Sequence, residues 1–227
     1  MIKFEVLRDS LDLKEENYII AGIDEAGRGP VIGPLVVAYV EVDSKILRKL
    51  IKLGVRDSKM LSPNKRKTLF RLIMTFPTRI VIAKIDPDVI DEWVLGKKGL
   101  NSLEAYVVSR LIEGYRVCAR KIYIDAPSNE TSYREYLSKY GVRRELVIVE
   151  IKADKKWPVV SMASVIAKVI RDEEIDALKR KLGIDFGSGY PSDPKTRSAL
   201  PILIKLSPEI VRKSWKTIRK IMKGNSF

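Results

Sequence analysis

The sequence predicts an α/β protein with a mixed five-stranded sheet, helices on its faces and a helical appendage at the C-terminus. Short apolar runs that end in glycine, proline or acidic residues recur along the chain, as is typical of buried strands. Between residues 120 and 175, strand and helix patterns alternate, which implies parallel strands joined by right-handed crossovers. The earlier strands follow one another more closely, as in an antiparallel meander. Together these patterns favour a mixed sheet.

The five predicted strands span residues 18–24, 34–42, 79–85, 121–124 and 146–151. Residues 1–17 form a polar, charged leader with scattered apolar positions, and we assign it no function. In open α/β sheets the binding site lies where neighbouring strand ends diverge. We therefore look for functional residues at the strand ends.

Helices are predicted between these strands and after them. Asn101 and Glu104 have the spacing of a capping box at the start of one helix. The predicted helices span residues 43–53, 63–75, 101–120, 130–140, 158–181, 194–205 and 208–223, with a short one after Pro87. The last is basic, and is either a solvated face or a surface that faces nucleic acid. Its basic residues are Arg212, Lys213, Lys216, Arg219, Lys220 and Lys223.

Composition limits the class of protein. The 227 residues, 45% hydrophobic and 32% charged, are typical of a soluble globular domain with a sizeable core. No apolar run approaches the roughly 20 residues that span a bilayer, and the N-terminus lacks the features of a secretory signal. We expect a cytoplasmic protein without membrane association. The single cysteine, Cys118, excludes an internal disulfide and is expected in the core.

The net charge and the absence of histidine limit the partners and the catalytic mechanisms that are open to this protein. A net charge of +14 favours a polyanionic partner, with nucleic acid ahead of membrane, although a thermophile-type surface is an alternative. The chain contains no histidine, which excludes Ser-His-Asp catalysis, a histidine general base and histidine-ligated zinc. The remaining chemistry relies on carboxylates and a hard metal ion such as Mg²⁺, which prefers oxygen ligands.

The most informative stretch is G-I-D-E-A-G-R-G-P-V-I-G-P, from Gly22 to Pro34. Asp24 and Glu25 can face one site only if the strand ends or bulges there, because successive side chains point to opposite faces. An arginine then lies between two glycines, which suggests a metal site beside an anion-binding loop. A solvated turn is the plainer alternative. A nucleotide-binding loop is disfavoured, since neither G-K-[ST] nor G-x-G-x-x-G is present.

Acidic residues also follow two later strands. Asp125 ends the strand at 121–124, and Asp154 follows the strand at 146–151. Asp172 lies inside a predicted helix, where it is either a support for a metal ligand or a plain salt bridge. Further along, a loop from Gly187 to Thr196 is predicted to be rigid, because it contains two prolines, and to expose Tyr190. Carboxylates at several strand ends predict a metal site there.

Taken together, five motifs resemble the archaeal form of ribonuclease HII over about residues 18–200. They are the Gly22–Pro34 stretch, D-S-K-x-L-S, I-D-A-P, K-A-D-x-x-x-P-V-V-S-x-A-S-V-I-A-K-V-I-R-D and G-S-G-Y-P-S-D-P-K-T. The resemblance implies a ribonuclease H-like fold with a catalytic domain at residues 1–193 and a basic helical region at 194–227. It also implies Mg²⁺- or Mn²⁺-dependent hydrolysis of RNA in RNA–DNA hybrids.

The resemblance further implies cleavage 5′ of single ribonucleotides in duplex DNA, leaving 5′-phosphate and 3′-hydroxyl ends, in DNA replication and repair. The implied catalytic and metal-binding residues are Asp24, Glu25, Asp125 and Asp154. The implied substrate-binding residues are Gly27, Arg28, Gly29 and the junction-sensing Tyr190. Lys59, Lys168, Ser188 and Lys195 are candidate phosphate contacts. Alternatives are a catalytically silent nucleic-acid-binding protein and another ribonuclease H-like nuclease.

Two expectations concern partners. The C-terminal residues 223–227, K-G-N-S-F, lack the glutamine and paired aromatic residues of a sliding-clamp-binding peptide, so clamp binding is in doubt. We expect a monomer that binds RNA–DNA hybrids and ribonucleotide-containing duplex DNA.

Overall fold

A computed structural model describes residues 1–11, 18–55, 62–115 and 118–223. Its centre is one mixed sheet in which β2 and β5, and β5 and β6, are parallel, while the other neighbours are antiparallel. The strands are β1 (Ile2–Asp9), β2 (Ile19–Ala26), β3 (Leu35–Asp43), β4 (Thr78–Ile85), β5 (Lys121–Asp125) and β6 (Val147–Glu150), in the spatial order β1-β4-β3-β2-β5-β6. The predicted α/β class and all five predicted strands are confirmed.

Within the described residues the sheet has six strands rather than five, because part of the leader forms β1. This strand pairs along its length with β4, from Ile2 opposite Ile85 to Asp9 opposite Arg79. Phe4 and Val6 are exposed, so β1 lacks the alternation of buried and exposed residues that identifies a strand from sequence. Backbone pairing at the sheet edge, rather than burial of side chains, accounts for this strand.

Helices cover both faces of the sheet. They are α1 (Ser44–Lys52), α2 (Pro63–Thr75), α3 (Pro87–Leu95), α4 (Leu100–Gly114), α5 (Glu130–Lys139), α6 (Ala153–Lys156), α7 (Pro158–Leu182), α8 (Pro194–Leu206) and α9 (Lys216–Met222). Helices α3, α4 and α5 pack on one face of the sheet, and α1, α2 and α7 pack on the other. The buried strand residues therefore divide between two apolar layers.

Three predictions about local structure are wrong. Helix α4 begins after Gly99, so Asn101 and Glu104 do not form a capping box, and its last residue is Gly114 rather than 120. The helix predicted at 208–223 is interrupted: a 3₁₀ turn at Pro208–Ile210 and an extended segment precede α9. Cys118 is exposed rather than buried, since it lies beyond the end of α4.

The C-terminal region packs onto the main body through a third apolar cluster. Val31 and Ile32, which follow the G-R-G sequence, contact residues of α7 and α8 and the segment before α9 there. Ile32 also forms an antiparallel bridge with Val211. The chain between Ile210 and Arg212 thus pairs with the glycine-rich loop, Gly27 to Gly33. This pairing is why the chain does not continue as a helix there. Among the described residues, no helix is both long and apolar enough to cross a bilayer.

Gly22 allows α7 to lie directly on β2. A Cβ atom at this position would be 2.3 Å from the carbonyl oxygen of Val159, in the first turn of α7. No side chain fits into that gap without moving the helix. The small residues Ser161, Ala163 and Ala167 on α7 are fully buried, consistent with the same close approach.

Replacing Gly22 with alanine should therefore destabilise the protein, by at least the roughly 1–3 kcal/mol that overpacking of a core costs. The free energy of unfolding from urea titrations measures this. Gly114→Ala is the matched control, because no atom lies within 4 Å of a Cβ built at Gly114, at the end of α4. The control should be neutral or slightly stabilising. Equal stability of the two variants would contradict the packing argument.

Candidate active site

Three carboxylates meet at one end of the sheet. Asp24 on β2, Asp125 at the end of β5 and Asp154 in α6 each place a carboxylate oxygen within 4.8 Å of the others. Because β2 and β5 are neighbouring parallel strands, their C-terminal portions lie side by side. Asp24 and Asp154 are buried, and Asp125 is half-buried. The structure thus brings together three of the four predicted metal-binding carboxylates, and their role in binding metal stays a prediction.

Backbone contacts hold the group in place. The amide of Ala153 donates to Oδ1 of Asp125 at 2.8 Å, and the amide of Glu25 donates to Oδ1 of Asp24 at 2.8 Å. Asp154 was expected at a strand end, but it lies instead in α6, the short helix that follows β6. The chain reaches that helix through Lys152, whose φ of 59° is left-handed. The turn at Lys152 brings Asp154 back towards the other two carboxylates.

Glu25 lies on the opposite face of β2 from Asp24. The predicted strand end or bulge is absent at this point, since the pairing of β2 with β3 continues without a break to Ala26 opposite Val36. Asp24 faces α7, and Glu25 faces the α4 side, where Glu104 is its strongest charged neighbour. Glu25 is not part of the three-carboxylate group. Its role as a metal ligand stays a prediction.

Burial and like charge make these carboxyl groups hard to ionise. Burial, opposed by Lys168 and reinforced by Asp125, raises the pKa of Asp24 to about 6. Burial and the charge of Glu104 raise the pKa of Glu25 well above its ordinary value. A divalent cation would remove this repulsion, and carboxylate oxygens are the ligands that Mg²⁺ and Mn²⁺ prefer. The residues present fit such a cation.

The G-R-G sequence forms a tight loop beside the carboxylates. Gly27 has a φ of 91°, and a Cβ there would be 2.7 Å from the carbonyl oxygen of Pro34, so only glycine fits. The Arg28 guanidinium points inward, where it pairs with Glu104 and donates to Oδ1 of Asn101. Asn101 in turn donates to the Ser128 hydroxyl at 2.7 Å, in the loop that follows Asp125. The loop is thereby tied to α4.

These contacts identify two residues that sequence reasoning missed. Asn101 and Glu104 are three positions apart, and we took that spacing for a helix cap. In the structure the same spacing places both side chains on one face of α4, facing Arg28. A buried glutamate among apolar helical neighbours was the available signal, since such a residue needs a charged partner.

Tyr190 lies across the glycine-rich loop. Tyr190 is exposed, at 39%, and its Cε1 atom is 3.4 Å from a Cβ built at Gly29. The Arg171 guanidinium lies 5.4 Å from the ring centroid and donates to the carbonyl oxygen of Ser188 at 2.6 Å. Arg171, which we had not singled out, therefore supports the tyrosine from the side opposite the solvent.

The loop, the tyrosine and polar residues of α7 line a groove of about 360 Å³. Lys168 also lines it, with Nζ 3.9 Å from Oδ2 of Asp24. Asp172 lies in the groove wall but pairs with Arg66 at 3.1 Å and Arg171 at 3.6 Å, as a salt bridge would. The groove is lined by Glu25, Ala26, Gly27, Arg28, Gly29, Arg66, Lys168, Arg171, Asp172 and Tyr190.

Ser188 and Lys195, two other candidate phosphate contacts, do not line this groove. Ser188 lines a neighbouring pocket rather than this groove, and its amide donates to Asp193 at 2.7 Å. Lys195 is paired with Asp185 at 2.6 Å. Lys59 lies outside the described residues. Their contacts with phosphate stay predictions.

Comparison with known proteins identifies the family of this chain. The family model described as ribonuclease HII matches residues 21–218, which include every residue of the groove. The chain belongs to the ribonuclease HII family. Ribonuclease HII of Pyrococcus furiosus is 45% identical over 207 residues, covering 89% of this chain and 90% of the relative. The chain is accordingly a metal-dependent endoribonuclease.

Solved structures of the family have the same fold. Ribonuclease H2 of Pyrococcus horikoshii matches with a TM-score of 0.80 at 40% identity, covering 91% of this chain and 98% of that one. A PCNA:RNase HII complex from Archaeoglobus fulgidus contains a chain that matches with a TM-score of 0.74 at 43% identity, covering 88% and 94%. The resemblance inferred from the motifs is confirmed, and so is the ribonuclease H-like fold.

Replacing Asp24 with asparagine should stabilise the metal-free ribonuclease at neutral pH. Folding raises the pKa of Asp24 from 3.8 to about 6, so the folded state binds this proton more tightly than the unfolded state. The group therefore favours folding most below about pH 4 and loses that contribution as the pH rises to about 6. At about pH 7.5 the variant should gain on the order of 1–3 kcal/mol in the free energy of unfolding.

Urea titrations of Asp24→Asn and of the unmodified protein, with a chelator present, measure this difference in the free energy of unfolding at about pH 7.5 and about pH 4.5. The gain should shrink at the lower pH. Asp185→Asn is the control of opposite sign, since Lys195 and nearby hydrogen bonds lower the pKa of Asp185 to about 2. That variant should lose stability at neutral pH. A loss of stability in Asp24→Asn would contradict the repulsion argument.

Proposed function

We propose that this protein hydrolyses the RNA strand of RNA–DNA hybrids and also cleaves on the 5′ side of a single ribonucleotide embedded in duplex DNA. The reaction is an in-line phosphodiester hydrolysis with two metal ions, and it leaves 5′-phosphate and 3′-hydroxyl ends. One observation carries the proposal: the groove lined by the G-R-G loop and Tyr190 is also lined by Lys168, whose Nζ lies 3.9 Å from Oδ2 of Asp24 in the three-carboxylate group.

Asp24, Asp125 and Asp154 would hold the cations, and we propose Glu25 as a fourth ligand from the other face of β2. Two bound divalent cations, Mg²⁺ or Mn²⁺, supply activation of a water and stabilisation of the leaving oxygen in an in-line displacement. The protein contributes preformed ligand geometry, because backbone amides already orient Asp24 and Asp125. Lys168 offsets negative charge beside Asp24 and lies where a substrate phosphate would enter the groove.

The glycine-rich loop is the proposed reader of the ribose. A 2′-hydroxyl both donates and accepts hydrogen bonds, so its recognition needs a donor and an acceptor close to the sugar. Backbone amide and carbonyl groups at Gly27 and Gly29, which line the groove, would meet this need. The Arg28 guanidinium, tied to Glu104 and Asn101, would fix the loop rather than bind a phosphate.

Tyr190 would stack on the sugar that follows the ribonucleotide, a position that admits only deoxyribose. The ring already has one face supported, by Gly29 and Arg171. A supported ring loses little conformational freedom on binding, which suits it to discriminate between sugars. We propose that Tyr190 is the source of the preference for junctions between RNA and DNA.

The basic C-terminal region would support binding rather than chemistry. We propose residues 1–193 as the catalytic domain and 194–227 as a basic region, whose described part packs against that domain. A net charge of +14 favours attachment to the phosphates of a duplex. We propose Lys59, Ser188 and Lys195 as further contacts with those phosphates.

We propose a monomer in the cytoplasm that acts in DNA replication and repair, without membrane association. The relative from Archaeoglobus fulgidus was solved in a complex with PCNA.

Asp125→Asn should abolish cleavage. The protein is incubated with Mg²⁺ and a labelled DNA duplex that carries one ribonucleotide, beside an all-DNA duplex. The unmodified protein should cut once, 5′ of the ribonucleotide, and leave the all-DNA duplex intact. Loss of one metal ligand should reduce the rate at least about a hundredfold, because bound metal ions lower the activation barrier by several kcal/mol.

Three further variants accompany this assay. Asp9→Asn removes an exposed carboxylate at the far edge of the sheet and should leave the rate unchanged. Asp154→Asn should match Asp125→Asn, whereas Asp172→Asn should lose less than about tenfold. Tight, salt-sensitive binding without any cut would refute the proposal in favour of a silent nucleic-acid-binding protein. Cleavage of all-DNA duplexes would favour a different ribonuclease H-like nuclease.

Tyr190→Ala should weaken the preference for single ribonucleotides. Base or sugar stacking on an aromatic ring contributes about 1–3 kcal/mol, which corresponds to a loss of roughly 5- to 150-fold in kcat/KM. Cleavage of an all-RNA strand in a hybrid should fall less, and metal affinity measured by calorimetry should not change. Tyr190→Phe keeps the ring and should retain the preference. An unchanged ratio of the two substrates in Tyr190→Ala would remove this role.

A further inference from the structure

A fully buried arginine from the C-terminal segment holds the glycine-rich loop. Arg212 is 0% exposed and is among the largest fully buried side chains. Its Nη1 donates to the carbonyl oxygen of Arg28 at 3.1 Å, and its Nε donates to the carbonyl oxygen of Gly33 at 3.0 Å. One guanidinium thus joins the G-R-G sequence to the far end of the same loop.

The backbone around Arg212 adds to this contact. The amide of Arg212 donates to the carbonyl oxygen of Val31, and the amide of Gly33 donates to the carbonyl oxygen of Ile210, both at 2.9 Å. On its other side, the loop donates from Val31 to the carbonyl oxygen of Gly189 at 2.8 Å. The glycine-rich loop is therefore held between the segment that carries Tyr190 and the segment that carries Arg212.

The segment itself is fixed to the main body. Asp91 on α3 is buried and accepts from the amides of Lys213 and Ser214, at 2.7 and 2.8 Å. The guanidinium of Arg212 also lies 5.0 Å from the centroid of the Trp215 ring. Because α3 packs on the sheet, these contacts place the guanidinium relative to the sheet and not only relative to the loop.

A buried arginine is a costly way to fasten a loop. Removing a cation from water carries a large penalty, and within the described residues Nη2 of Arg212 has no hydrogen-bond partner. An apolar side chain would fill the same space without this cost. What an apolar side chain cannot do is donate to two carbonyl groups at once and so fix their separation and direction.

We propose that Arg212 is a positioning residue for ribose recognition: it orients the backbone of the glycine-rich loop through the carbonyl groups of Arg28 and Gly33. The inference rests on the proposed function of that loop. It assigns to the C-terminal segment a role inside the active site, in addition to any contact of its exposed lysines with nucleic acid. Arg212 touches no reacting group itself and acts through the loop.

Arg212→Lys tests the proposal, since lysine keeps the charge but cannot bond both carbonyl groups in the same geometry. With a duplex carrying one ribonucleotide, kcat should fall about tenfold to a hundredfold, the cost of misplacing a positioned group by about 1 Å. The affinity of the free protein for Mn²⁺, measured by calorimetry, should stay within about threefold, because the three carboxylates do not contact Arg212. Amide hydrogen exchange should accelerate at Val31 and Gly33.

Arg79→Lys is the matched control. Arg79 is also a largely buried arginine, with 12% of its side chain exposed, and it pairs with Glu41 and Asp9 on strands away from the groove. This variant should lose stability without a change in kcat or in exchange at the loop. A loss of kcat in Arg212→Lys that merely follows its loss of stability, as in Arg79→Lys, would overturn the proposal. Equal loss of Mn²⁺ affinity and kcat would overturn it as well.

Asp91→Asn provides a second route if Arg212→Lys does not fold. Asparagine can accept fewer of the hydrogen bonds from Lys213 and Ser214, so kcat should fall in the same manner by a smaller factor. Unchanged exchange at Val31 and Gly33 in this variant would count against the proposal. Failure of the unmodified protein to cut any ribonucleotide would refute the proposed function, whereas hydrogen exchange would still test the support of the loop.

Discussion

The crowding of buried carboxylates at one end of the sheet is the constraint around which the other parts of the structure are arranged. Asp24, Asp125 and Asp154 lie close enough to bind one ion, and two of them are buried, so their negative charges repel strongly. Backbone amides and the ammonium group of Lys168 offset part of this repulsion. In the absence of a cation this repulsion lowers the stability of the folded protein, while the ligands of the metal site are already in place.

Helix α7 supplies the groups that offset this charge, and its placement follows from packing. Gly22 lets the helix lie directly on β2, with the backbone of Val159 against the glycine. Ser164, Lys168 and Arg171 then recur at positions i, i+4 and i+7, which lie on one face of a helix. Lys168 thereby reaches Asp24, and two turns of helix bring Arg171 under Tyr190. One close contact between helix and strand positions several polar groups.

One ion pair and two hydrogen bonds from arginine side chains fix the glycine-rich loop and the tyrosine loop beside it. Glu104 on α4 holds the Arg28 side chain, and Arg212 holds the Arg28 carbonyl group. Arg171 supports the neighbouring tyrosine loop through Ser188. Each contact joins the loop to a different helix or segment. Since a loop of small residues has little rigidity of its own, its geometry is set by these neighbours.

Strand positions and the acidic residues near their ends were predictable because local patterns report them. The apolar runs before Asp24 and Asp125 identify buried strands, and parallel neighbours must bring such ends together. The G-R-G sequence likewise requires a tight turn wherever it lies. The family motifs added the order and spacing of these features, which is why the class of fold and the metal chemistry were both recognised before the structure.

Only the tertiary structure decided which polar residues face each other. Asn101 and Glu104 carry the spacing of a helix cap, and only the position of Arg28 shows that they bind its guanidinium. Arg212 lies in a run of basic residues that predicts an exposed helix, yet pairing of Ile210 and Arg212 with the glycine-rich loop buries it. Glu25 follows Asp24 in sequence but faces the other side of β2 because the strand continues. Local sequence determines the period and ends of an element, whereas the partner of a buried charge depends on contacts between residues far apart in the chain.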